Sequence, residues 1–153
     1  MRAMNIVVVI KQQHEEFRHL IYQVTEAASK DTPDQMRLFR QVRSKLNAHG
    51  RAEEKVSFPR MEEDERTRQA ALEAEEWHAA SRNVMSRLAE LAPEDELWMP
   101  KWLVFSGIIL AHLDAEEERA LERLDKTFDE EELERLGRDF LAAEEGIMAE
   151  SSK

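Results

Sequence analysis

Apolar positions recur at helical spacing from near the start of the chain. Ile6, Val9, Ile10, Phe17, Ile21 and Val24 keep the i, i+3, i+4, i+7 rhythm that buries one face of a helix. Val42 and Leu46, then Phe105, Ile108 and Ile109, then Leu133, Leu136, Phe140 and Leu141 lay similar stripes further along. Few turn signals interrupt them. Asp31-Thr32-Pro33-Asp34 joins a capping residue to a proline at a first helical position. Phe58-Pro59 breaks the second stripe, because proline cannot continue a helix and restricts the residue before it. Leu91-Ala92-Pro93-Glu94 is a third break, and Pro100 either opens a helix or kinks one already begun. Thr127-Phe128-Asp129-Glu130 reads as a capping box. The pieces are helices over about 4–30, 33–57, 62–91, 95–124 and 129–148. Short connections make long helices antiparallel neighbours. The expected fold is therefore all-α, with one domain over 1–153. It comprises an up-down-up-down four-helix bundle over 4–124 and an additional C-terminal helix over 129–148.

Composition narrows what such a bundle can do. The chain has 153 residues, with 33 acidic against 22 basic side chains and a formal charge of −11. A general nucleic-acid binder needs a basic face, so neither nucleic acid nor an anionic membrane surface is an expected partner. With no cysteine, disulfides, thiolate zinc sites, iron–sulfur clusters and a nucleophilic thiol all drop out. Any metal must be held by histidine and carboxylate. Ile6 to Ile10 is too short for the apolar region of a signal peptide, and Trp102 to Leu113 is too short to span a bilayer. The expected location is the cytoplasm, as a monomer or weak homo-oligomer.

Two stretches echo each other chemically: His49-Gly50-Arg51-Ala52-Glu53-Glu54 and His112-Leu113-Asp114-Ala115-Glu116-Glu117. Residues four apart share a helix face, so each HxxxE presents an imidazole and a carboxylate to one point. Alone, that motif is weak in so glutamate-rich a chain. Position relative to the turns strengthens it. His14 and His49 are equidistant from Asp31-Thr32, His78 and His112 from Asp95, and His49 and His78 from Glu63-Asp64. In antiparallel helices, residues equidistant from a turn lie at one height, so four helices each deliver a histidine to a common level. His14 shares its stripe with Ile10, Phe17 and Ile21, and His112 shares a face with Phe105, Ile108 and Ile109. One histidine on such a face is ordinarily a hydrogen-bonded core residue. Four at one level with Glu53 and Glu116 point instead to metal, because buried carboxylates need a counter-charge. His19, five residues after His14, falls off that face and is read as a surface residue.

A lone His14 in the first helix, HxxxEE followed by an aromatic and Pro59 in the second, a lone His78 in the third and HxxxEE in the fourth resemble the hemerythrin family. The likeness is to its bacterial HHE cation-binding domain, over about residues 4 to 124. The resemblance implies a non-haem di-iron site: two iron ions joined by an oxo or hydroxo bridge. His14, His49, His78 and His112 would be terminal ligands, and Glu53 and Glu116 bridging carboxylates. Coordination positions left open would take a small diatomic or peroxide ligand, with binding, sensing or reduction of O2, nitric oxide or peroxide as the implied functions. The resemblance assigns no catalytic residue apart from these ligands. Oxygen-carrying members place two histidines four apart on the third helix, whereas Ala74 and Arg82 flank His78 here, which weighs against a stable reversible carrier. Glu75 could fill that gap, although an exposed helix glutamate is the commoner role. Trp77 stands where many members have glutamate and can pack between helices.

Glu54 and Glu117 follow the bridging candidates by one residue, and a 100° rotation takes them to the surface or behind the ligands. Tyr22, two turns after His14, is a candidate for the pocket lining but fits the core or rim better. The last helix is expected to pack on the bundle without touching the metal. Two other readings stay open: a bundle that stores or senses iron, zinc or manganese without redox turnover, and a purely structural interaction bundle with core histidines.

Overall fold

The structure is a computed structural model that describes residues 4–30 and 33–151. It is all-α, with no strand among the described residues. The first helix, α1, spans Ile6–Ser29, and the Asn5 side chain caps it by accepting from the Val7 amide at 2.8 Å. α2 spans Asp34–Lys55. The predicted cap at Asp31-Thr32 lies outside the described residues.

The Phe58-Pro59 break takes an unexpected form. α2 stops at Lys55, four residues before Pro59, where the proline ring would meet the helix carbonyl. After a bent Val56 (φ −112°, ψ −63°), a short helix α3, Ser57–Glu62, carries Pro59 in its first turn. Glu63 and Asp64 then reverse the chain at the position that the His49–His78 symmetry requires. Asp64 caps α4, Glu65–Ala89, through the Arg66 amide, and buried Thr67 donates to the Met61 carbonyl at 2.6 Å to lock the turn.

The next helix, α5, spans Trp98–Ala115 and so begins three residues later than 95. The Asp95 side chain and carbonyl accept from Leu97 and Trp98 and hold the chain in a turn. Pro100 thus falls in the first helical turn, where a missing N–H costs nothing, and opens the helix rather than kinking it. From Glu116 to Leu121 the helix widens into a π-turn, then continues as α6, Glu122–Thr127. The cap of the last helix, α7 (Glu130–Ser151), is Asp129 rather than Thr127: the Asp129 carboxylate accepts from the Glu132 amide at 2.9 Å. Thr127 instead ends α6.

α7 lies along α2 and α1. A Cβ on Gly137 would sit 1.6 Å from the Met4 carbonyl oxygen, so only glycine lets the two backbones meet there. The buried apolar side chains form two clusters. One gathers Ile6, Ile10, Phe58, Met61, Leu121, Leu133 and Phe140; the other gathers Phe17, Ile21, Phe39, Trp98, Trp102, Phe105 and Ile109. His14, between Ile10 and Phe17, marks the polar layer that separates them. No helix among the described residues is long and apolar enough to cross a membrane.

Candidate metal centre

All six predicted residues meet in that layer. His14 is fully buried, and His49, Glu53, His78, His112 and Glu116 are each at most 5% exposed. Each imidazole turns Nε2 inward. His49 Nε2 lies 3.0 Å and His78 Nε2 3.5 Å from Glu53 Oε1, while His14 Nε2 lies 3.1 Å from Glu116 Oε1 and His112 Nε2 3.6 Å from Glu116 Oε2. Each carboxylate therefore stands between one histidine of the His14/His49 pair and one of the His78/His112 pair. The rings within the pairs are 5.3 and 5.0 Å apart. Ligating atoms of Glu53, His78, His112 and Glu116 fall within 4.8 Å of one another, as do those of His14, His49 and Glu116.

The outward nitrogens are held from behind. His78 Nδ1–H donates to Glu54 at 2.9 Å, and Glu54 is itself paired with Arg82. His49 Nδ1–H donates to the Gln13 amide oxygen at 2.7 Å, and Gln13 donates onward to Glu144 of α7 at 2.8 Å. His14 Nδ1 lies 3.3 Å from Glu117, which Arg18 clamps in turn. A proton placed on Nδ1 leaves the Nε2 lone pair free to face inward, the orientation that metal-ligating histidines require. Glu54 and Glu117 thus stand behind the candidate ligands.

Electrostatics show how poorly this layer suits an ordinary core. Burial would raise Glu53, but His49 and His78 overcome it and hold its carboxyl well below the usual range. Burial and the neighbouring Glu53 charge push Glu116 up to about 7. His78 would be lowered by burial, yet Glu53 and Glu54 raise it to about 10. Burial and the charge on His78 depress His112 to about 3. Burial also works against the His14 cation, but Glu116 and Glu53 hold its pKa above the ordinary value. Six ionisable groups at one level must share protons unevenly. Several of their buried atoms find no hydrogen bond at all: both His14 nitrogens, His49 Nε2, Glu53 Oε1, His112 Nδ1 and both Glu116 oxygens. Leaving such groups unsatisfied costs about 1–3 kcal/mol each, and cations placed among the inward atoms would satisfy them.

The remaining candidates fall away from the centre. Glu75 turns to Glu62, and that shared hydrogen bond, with burial, raises its carboxyl to about 6. Tyr22 is 62% exposed and lines neither core nor pocket, because eight residues are 2.2 turns and leave it about 80° off the His14 face. His19 is exposed, as expected. Trp77 packs its ring 6.0 Å from that of His112. Three features escaped sequence reasoning. The π-turn opens at Glu116 itself, with no glycine or proline to announce it; such turns are frequent at functional sites. Gln13 adjoins His14 in sequence, yet serves His49. α7 does more than pack on the bundle, since Phe140 sets its ring 5.5 Å from His49 and Glu144 completes the Gln13 link.

The fold and the buried imidazole–carboxylate layer define a helical bundle with a cation-binding centre. The family model of the hemerythrin HHE cation binding domain matches residues 5–124, and the chain belongs to that family. Neither a curated protein nor a solved structure gives a match.

Proposed function

We propose that the chain holds two iron ions in this layer and uses them to bind, sense or reduce O2, nitric oxide or peroxide. His14 and His49 would serve one ion, His78 and His112 the other, and Glu53 and Glu116 both. The observation that carries the reading is the convergence of four Nε2 atoms and two carboxylates in one buried layer, where Nε2 of His14 and of His49, Glu53 Oε1 and both Glu116 oxygens have no hydrogen-bond partner. When bound, ferrous ions would supply the electrons that such oxidants accept. The chain's own part is to fix the imidazole tautomers through Glu54, Gln13 and Glu117, to hold the two carboxylates between the histidines, and to flank the layer with apolar clusters on either side. The family membership supports a cation site, and the all-His/Glu donor set suits iron while admitting manganese or zinc.

Aerobic purification followed by metal analysis is expected to show about two irons per chain with ligand-to-metal charge-transfer absorption that changes on exposure to peroxide or nitric oxide. A protein that stays colourless and metal-free after anaerobic Fe(II) loading overturns the reading. Loading with zinc or manganese in preference to iron moves it to metal storage or sensing.

A further inference from the structure

A cleft of about 720 Å³ opens between α2, α4 and α5 and reaches down to His49, His78 and His112. A diatomic gas or peroxide needs only a small fraction of that space, whereas the volume lies in the range that encloses a drug-sized organic molecule. Its walls include polar Ser44, Asn47, Ser81 and Ser86, and Arg82, which is already paired with Glu54. Leu46, Met85, Phe105 and Ile109 make an apolar flank. Arg40 and Arg43, both exposed and about one turn apart on α2, line it further from the histidines. In a chain of charge −11, most basic side chains near a carboxylate are paired with it. Among the described residues neither Arg40 nor Arg43 makes an ion pair, and both border the same cleft. From Arg40 to His49 the helix rises about 14 Å, the length of an extended chain of roughly ten carbons.

We propose that this cleft binds a medium-chain monocarboxylate, with the carboxylate on Arg40 and Arg43 and the apolar body running along Leu46, Met85, Phe105 and Ile109 toward the histidine layer. Arginine pairs charged oxygens in a planar, bidentate fashion, which sets the head. The apolar flank gains from covering the tail. The protein alone builds the cleft, so the inference does not rest on the iron reading: metal analysis decides that one, and a titration decides this one.

The test is isothermal titration of the full chain, as isolated, with decanoate, 1-decanol and inorganic phosphate. Decanoate is expected to bind at one molecule per chain, and at least about tenfold more tightly than either decanol or phosphate. The double variant Arg40→Ala with Arg43→Ala, altered only at exposed positions, is expected to keep its melting temperature and lose about tenfold in decanoate affinity, while Arg40→Lys with Arg43→Lys recovers part of it. Met85→Trp, which fills the cleft, is expected to weaken decanoate without changing the iron content. Equal affinity for decanoate and decanol overturns the proposal, as does phosphate binding as tightly as decanoate. So does decanoate binding unchanged in the double alanine variant, which would mean that the carboxylate sits elsewhere.

Discussion

The two HxxxEE motifs are near copies in sequence, yet the halves of the centre they help to build have different surroundings. Both halves pack their rings against aromatic side chains, Phe58 and Trp77 beside His78 and His112, but in the His14/His49 half Phe17 lies 5.0 Å from His49 and the second aromatic, Phe140 at 5.5 Å, comes from the appended helix α7. The outer nitrogen of His49 ends on a neutral amide that leads to α7. In the His78/His112 half, the outer nitrogen of His78 meets an ionised carboxylate braced by Arg82, and both rings border the open cleft. His49 borders that cleft as well, and His14 alone of the four does not. A four-residue motif specifies which atoms converge, but what seals or opens each position is decided by elements far away in the chain.

The largest test of this contrast is Phe140→Ala. Truncating a fully buried aromatic costs about 3–5 kcal/mol, and here it also unseals the His49 side. Thermal unfolding is expected to show the loss, and iron is expected to exchange faster with a chelator than in the parent. An unchanged exchange rate would mean that α7 does not seal that half. A smaller effect is expected of Glu116→Leu. This carboxylate stands against His14 and His112, one from each half, so its removal is expected to lower the iron content of both. Loss of one ion alone, by metal analysis, would show that the halves bind independently.

The smallest effect is in the pH dependence of the metal-free form. His78 titrates at about 10 in the fold against 6.5 when unfolded, so its contribution is complete below pH 6.5 and is lost as pH rises through 10. Glu116, raised to about 7, works in the same direction, its contribution fading between its ordinary value and 7. His112, depressed to about 3, works in the opposite direction and weakens the fold as pH falls below 6.5. Denaturant melts of wild type against His78→Gln are expected to converge as pH rises from 6.5 to 10. With metal bound the sign reverses, since binding displaces those protons and tightens as pH rises. A pH-independent difference would show that His78 carries no extra proton in the fold.

The long helices, their antiparallel order and all six centre residues were legible because each is a local or symmetric property. Helical spacing puts His14 among Ile10, Phe17 and Ile21, and equal distance from a turn sets height without reference to side-chain packing. The rest depended on longer connections. Tyr22 left the His14 face because small angular offsets accumulate over two turns. The true end of α2 came from the reach of the Pro59 ring back to Lys55. The cap at Asp129 won over Thr127 because the chain leaves α6 in extended conformation at Phe128 (φ −105°, ψ 147°) and places the aspartate, not the threonine, at the new helix's start. Glu75 found Glu62, a neighbour that α3 brings near, in place of the centre.

By itself the amino-acid order determined the helix faces, the common level of four histidines and the two carboxylates among them, because spacing along a helix converts directly into direction and height. Only the tertiary structure decided which nitrogen of each ring points inward, that α7 stands over His49, that the helix widens at Glu116, and that His49, His78 and His112 border a cleft edged by Arg40 and Arg43. Those features arise from contacts between residues as far apart as Gln13 and Glu144, whose meeting depends on how whole helices pack and leaves no local trace in either segment.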